Sequence, residues 1–194
     1  MMALFTIVSS FRQSLRSGDT AGVAAAGAAA GFVLASRWGD TSLMRQRITS
    51  IEVGLVVNTG FTAAQLVGLD LVVGRAYTAS SSGGTAATLT TGNGKMRVAT
   101  DPTKLTDLRI ATTAALTAGT VTPDAALLGQ DAVWALAATA GAKIQKVYDF
   151  TDSELGGLVL QRDEGVIMRN LIAQGAGGTV QFFATIAWDE GLVG

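Results

Sequence analysis

From residue 32 onward the apolar positions recur every second residue, the period of a strand with one buried face. Val180, Phe182, Ala184, Ile186 and Trp188 fall on one side of the last such segment, with Thr179, Gln181, Thr185 and Asp189 on the other. Ile51, Val53, Leu55 and Val57 alternate in the same way, as do Val67, Leu69, Leu71 and Val73 beyond the turn around Asn58, Thr59 and Gly60. These two segments read as antiparallel neighbours. Met44 and Ile48 have the opposite parity from Ile51 and Val53, so a β-bulge near Thr49 and Ser50 is expected to bring both ends onto one core.

Shorter strands are predicted over 32–38, 95–99, 108–111, 158–160 and 165–172. Turn residues separate them at Gly83-Gly84, Gly92-Asn93-Gly94, Asp101-Pro102, Gly156-Gly157, Asp163-Glu164-Gly165 and Gly177-Gly178. The 123–142 region reads as irregular chain with one strand over 133–136. About eight to ten strands at this spacing predict a mainly β protein, an antiparallel two-sheet β-sandwich that is jelly-roll-like. Its single domain spans 20–194.

Residues 1–19 read as an N-terminal arm or peripheral segment outside that sandwich. As a helix the segment would place Leu4, Val8, Phe11 and Leu15 on one face, and these four are the candidate assembly contacts. Arg12 and Arg16 precede the uncharged, Ala-rich 20–36 stretch, which imitates a signal peptide. It is shorter and less apolar than the roughly 20 residues a membrane span needs, so no membrane partner is expected.

Charged residues make up 15% of the chain and the formal net charge is -1, too little field to hold nucleic acid. With neither cysteine nor histidine, disulfides, thiolate metal sites and Ser-His catalysis are excluded. The carboxylate pairs Asp152/Glu154, Asp163/Glu164 and Asp189/Glu190 lie beside turns or near the chain end and read as solvated turn acids rather than acid-base pairs. The 91–96 string TGNGKM lacks the first P-loop glycine and the magnesium-binding hydroxyl, and reads as a hairpin turn. Trp38, Trp134, Trp188, Tyr77 and Tyr148 are the aromatics available for a sugar platform, against a core reading for each. No enzyme activity, cofactor or metal is expected.

Two stretches add to this. The 60–98 segment GFTAAQLVGLDLVVGRAYTASSSGGTAATLTTGNGKMRV with the 109–124 segment RIATTAALTAGTVTPD, and the C-terminal LVLQRDEGVIMRNLIAQGAGGTVQFFATIAWDE, resemble tailed-bacteriophage virion structural proteins. The resemblance runs from about Thr20 to Glu190 and absorbs the Ala-rich run into the domain. It implies a virion component of the capsid decoration or cement type. Its partners would be copies of itself, as a trimer in the manner of such proteins, and the major capsid protein or another virion protein, on the capsid exterior. A tail- or fibre-associated host-adhesion or carbohydrate-binding module is the alternative. The resemblance carries over no catalytic residue.

Overall fold

The computed structural model describes residues 5–21, 23, 31–89, 102–152 and 156–193. Eleven strands follow in chain order: β1 (Phe5–Arg16), β2 (Phe32–Trp38), β3 (Arg45–Thr59), β4 (Gln65–Ala79), β5 (Thr85–Ala86), β6 (Asp107–Ile110), β7 (Thr120–Ala135), β8 (Lys143–Asp149), β9 (Leu158–Leu160), β10 (Glu164–Asn170) and β11 (Thr179–Val193). One sheet has the order β1-β11-β3-β8, with β9 also on β3, and the other the order β5-β6-β2-β10-β4-β7. Every pairing is antiparallel.

The chain changes sheet at β1 to β2, β2 to β3, β3 to β4, β7 to β8, β9 to β10 and β10 to β11. Two four-strand sets, β1-β11-β3-β8 and β2-β10-β4-β7, thus interleave as the paired Greek keys of a jelly roll. The predicted fold class stands. The predicted pairing of β3 with β4 does not: β3 is flanked by β11, β8 and β9, and β4 by β10 and β7. Alternation reveals which face of a strand is buried but not its neighbour, and these two strands meet across the core instead of edge to edge.

Between the sheets lies the main core, in which Ile51, Val53, Leu55 and Val57 of β3 join Val67, Leu69, Leu71 and Val73 of β4 and the alternating apolar set of β11. A second cluster of Phe32, Ala35, Val72, Tyr77, Leu116 and Ile167 covers the opposite face of the six-stranded sheet. That second layer is why β2 and β10 read as continuous apolar runs, buried on both sides. The bulge predicted in β3 is present. Ala187 faces Ser50 and Trp188 faces Ile48, which leaves Thr49 as the extra residue, and its hydroxyl donates to the Ala187 carbonyl at 3.2 Å.

Two further expectations need correction. Residues 5–16 are neither helix nor detached arm: β1 is an edge strand of the sandwich, paired with β11 from Phe5 opposite Val193 to Arg16 opposite Phe183. Its parity breaks at a bulge between Ile7 and Ser9, which mixes the apolar spacing and imitates a helical one. The 123–142 region is also more regular than expected, because β7 is one strand of 16 residues. It is an edge strand with several register shifts against β4, and its half-exposed Ala-rich face carries no clean alternation. The predicted strand over 95–99 and the 91–96 turn lie outside the described residues, as does the 24–30 run. Among the described residues no helix is long and apolar enough to cross a membrane.

Candidate assembly surface

Of the four candidate contact residues Leu4, Val8, Phe11 and Leu15, the three that are described do not share a face. Leu4 lies outside the described residues. Phe11 is buried, stacked on Trp188 with ring centroids 5.4 Å apart, and Leu15 packs partly buried against the same core. Val8, at the bulge, is 54% exposed. Val8 is the most exposed of these three.

β1 is fixed to the sandwich along its length. The Arg47 guanidinium lies 4.7 Å from the Phe5 ring centroid and donates to Asp189 Oδ2 at 2.6 Å through Nη2. Ser10 Oγ donates to Asp189 Oδ1 at 2.5 Å. One carboxylate of β11 thereby ties β1 to β3, and its neighbour Glu190 does similar work for a different segment. Glu190 accepts from the Thr103 hydroxyl, from the Lys104 backbone N–H at 3.1 Å and from Trp188 Nε1 at 3.1 Å. Burial pushes its carboxyl above the ordinary glutamate value, while these hydrogen bonds pull the other way.

The other acids are engaged in the same structural manner. Glu164 pairs with Arg75 and accepts the Gln161 N–H, and Asp163 pairs with Arg37 at 3.1 Å. Glu164, Asp189 and Glu190 are all buried, so the expectation of solvated turn acids is corrected for these three. Their spacing beside glycines suits a turn, but Asp189 and Glu190 lie within β11, and partners distant in sequence cover all three: Arg75 over Glu164, Arg47 over Asp189, and Thr103 with the Lys104 N–H over Glu190. Glu154 lies outside the described residues and Asp152 is exposed. Among the described residues no three His, Cys, Asp or Glu side chains gather as a metal site.

Among the described residues, apart from Leu43 in the β2–β3 connection, the large exposed apolar side chains lie at the two lateral rims of the sandwich. One rim is formed by β7 and β8, where Leu127, Trp134, Leu136 and Val147 are exposed. Trp134 is 58% exposed and stands opposite Leu66, on the face turned away from the main core, since the adjacent Val67 points inward. Trp38, Trp188 and Tyr77 are core residues. Tyr148 of β8 closes the gap between the sheets at this rim: its ring occupies the space a Cβ would need at Gly129 of β7. Burial pushes the Tyr148 phenol up, with the charges of Asp131 and Asp70 adding to the effect. On the opposite rim β1 leaves Val8 exposed, with Leu192 exposed on the paired end of β11.

The rims were only partly legible in the sequence. Val8 belongs to a helical spacing that the strand does not use, and the sequence pattern does not mark β7 as an edge. Its available signal is the long run 120–135 with two aspartates and no lysine or arginine, a composition that leaves an edge without the charge that usually blocks pairing.

No family model matches the chain, and no curated protein matches it. Among solved structures the chain is similar to one described as "Unassembled KI Polyomavirus VP1 Pentamer", at a TM-score of 0.43 and 11% sequence identity over 100% of both chains. A likeness at that score carries no weight for function, and the strand order read from the backbone stands without it.

Proposed function

We propose that the protein is a non-enzymatic structural component of a bacteriophage virion, a capsid decoration or cement protein that binds as a homotrimer on the outside of the head and contacts the major capsid protein. The observation that carries this reading is the β7–β8 rim, a long edge strand flanked by outward-facing Leu127, Trp134, Leu136 and Val147. An exposed apolar rim of this kind is a contact surface. The jelly-roll strand order and the sequence resemblance over about Thr20 to Glu190 support placing that contact in a virion.

The exterior is favoured by charge. Packaged DNA attracts basic surfaces, whereas 14 basic residues here are set against 15 acidic ones. A cement protein needs only a rigid body that reaches two neighbours at once, so that weak contacts add through effective concentration. The direct test is a density map of purified particles with and without the protein. Density on the outer face of the head that disappears with the gene supports the reading, and density confined to the tail refutes it.

One observation favours a second reading. Trp134 presents an exposed indole on a sheet face, which suits stacking on a sugar ring and hence a tail- or fibre-associated adhesion module. Binding to a glycan array that is lost in Trp134→Ala would move the assignment there.

A further inference from the structure

The two long edge strands lie at opposite rims and carry opposite charge. β1, FTIVSSFRQSLR, holds two arginines and no acid, with Arg12 and Arg16 both exposed. β7, TVTPDAALLGQDAVWA, holds Asp124 and Asp131 and no base. β1 pairs only with β11 and β7 only with β4, so among the described residues each has one unpaired edge. Each also contains an uninterrupted ladder of similar length. Residues 9–16 of β1 run in unbroken register against β11, and residues 129–135 of β7 do so against β4. At about 3.3 Å per residue these edges are each roughly 25 Å long.

We propose that the 9–16 edge of β1 in one copy docks on the 129–135 edge of β7 in the next copy, a head-to-tail contact that repeats from subunit to subunit. Three alternatives are disfavoured by charge, and a fourth, β7 on β8 of another copy, sets aspartates against Lys143 and Lys146 and is told apart by its indifference to Arg12 and Arg16. Pairing β1 with a second β1 sets arginines against arginines, pairing β7 with β7 sets aspartates against aspartates, and pairing β1 with β8 brings Arg12 and Arg16 toward Lys143 and Lys146. Like charges across an interface suppress the wrong partner, and Arg12 and Arg16 facing Asp131 select the right one. In the β7 register Asp131 stands opposite Leu69 and Trp134 opposite Leu66, so the two lie on opposite faces of the strand, and the exposed Trp134 flanks the contact on the face away from the ion pairs. Main-chain pairing of two free edges would join the five-stranded sheet of one copy to the six-stranded sheet of the next. A heterologous contact of this type closes into a ring when the rotation per step allows it, and a trimer is one such ring. The inference deepens the virion reading and rests on it only for the expectation of self-association.

The experiment is a reciprocal charge exchange, read by sedimentation velocity at micromolar protein. One variant carries Arg12→Glu with Arg16→Glu, the other Asp131→Lys. Each alone opposes like charges at the contact and should weaken self-association by roughly tenfold or more. Combining all three substitutions in one chain presents opposite charges at every contact of a head-to-tail ring of any size and should recover association close to that of the unaltered protein. Trp134→Ala serves as an uncharged second disruption at an exposed position, and the melting temperature of each variant confirms folding. A monomeric parent protein, single variants that associate as the parent does, or a combined variant that associates no better than they do would each overturn the proposal. Binding of the same samples to capsids separates the two readings. Capsid binding without self-association sinks the head-to-tail contact alone, and a successful charge exchange without capsid binding sinks the virion role alone.

Discussion

Phe11 and Trp188 stack with ring centroids 5.4 Å apart and an interplanar angle of 19°, joining the edge strand β1 to β11 within the core. Both rings are almost completely buried. Phe11→Ala removes the stack and leaves a cavity, at a cost of about 3–5 kcal/mol for a buried phenylalanine. Deleting residues 1–19 goes further. It removes Phe11, Ser10 and Phe5 together and strips β11 of one neighbour, so the truncated chain should melt far below the intact protein or fail to fold. Thermal unfolding by circular dichroism decides the matter, and a truncated chain that melts at the same temperature would contradict the integration of β1.

A second prediction concerns Asp189, which accepts from Arg47 and Ser10 where little water reaches. Removing one member of a largely buried pair strands the other charge, so Asp189→Ala should cost about 3 kcal/mol. Replacing both, as Asp189→Leu with Arg47→Met, should recover a large part of that loss. Urea titrations of the single and double variants measure the coupling, and fully additive losses would show that the pair does not act as a unit.

The pH dependence should carry the signature of Glu190. Its pKa in the folded protein is raised by burial, so the folded state binds the proton more tightly than the unfolded chain. The stabilisation from this group is complete below the ordinary glutamate value of about 4.3 and is lost as pH rises through the raised folded value. Asp124 and Asp149 have the opposite sign. Backbone N–H donors hold both below the usual aspartate range, so what they contribute is lost as pH falls. In Glu190→Gln the decline of melting temperature from acid toward neutral pH should be shallower than in the parent. Parallel curves for the two proteins would rule out Glu190 as the source.

At the β7–β8 rim, Gly129 leaves the space that the Tyr148 ring fills. Gly129→Ala forces the ring or strand to move and should destabilise the fold by about 1–3 kcal/mol. In a Tyr148→Ala background the same change should cost much less. A double-mutant cycle by chemical denaturation reads this out, with zero coupling as the contrary result.

The sequence exposed the strands that keep strict alternation. β2 and β9 were delimited to the residue, the inward faces of β3, β4 and β11 were identified, and the bulge at Thr49 was visible as a change of parity between Ile48 and Ile51. What it concealed follows from the same physics. In β1 the bulge at Val8 disturbs the period, so Val8, Phe11 and Leu15 fall into a helical spacing although two point inward and one outward. β7 is half-exposed along both faces, so its apolar residues mark no single side. Strand partners are set by sheet-crossing connections, which is why β3 and β4 looked adjacent and are not. The assembly surface was the least legible part, because an edge is defined by the absence of a neighbour.

The most direct test of the cement role is the heat resistance of the capsid. Particles assembled without the protein, particles with it and depleted particles to which it is added back should be heated in parallel while DNA release is followed by dye fluorescence. The account predicts release at a lower temperature from depleted heads and recovery on addition of the purified protein. Identical release curves for all three, accompanied by defective tails or adsorption in the depleted particles, would contradict it.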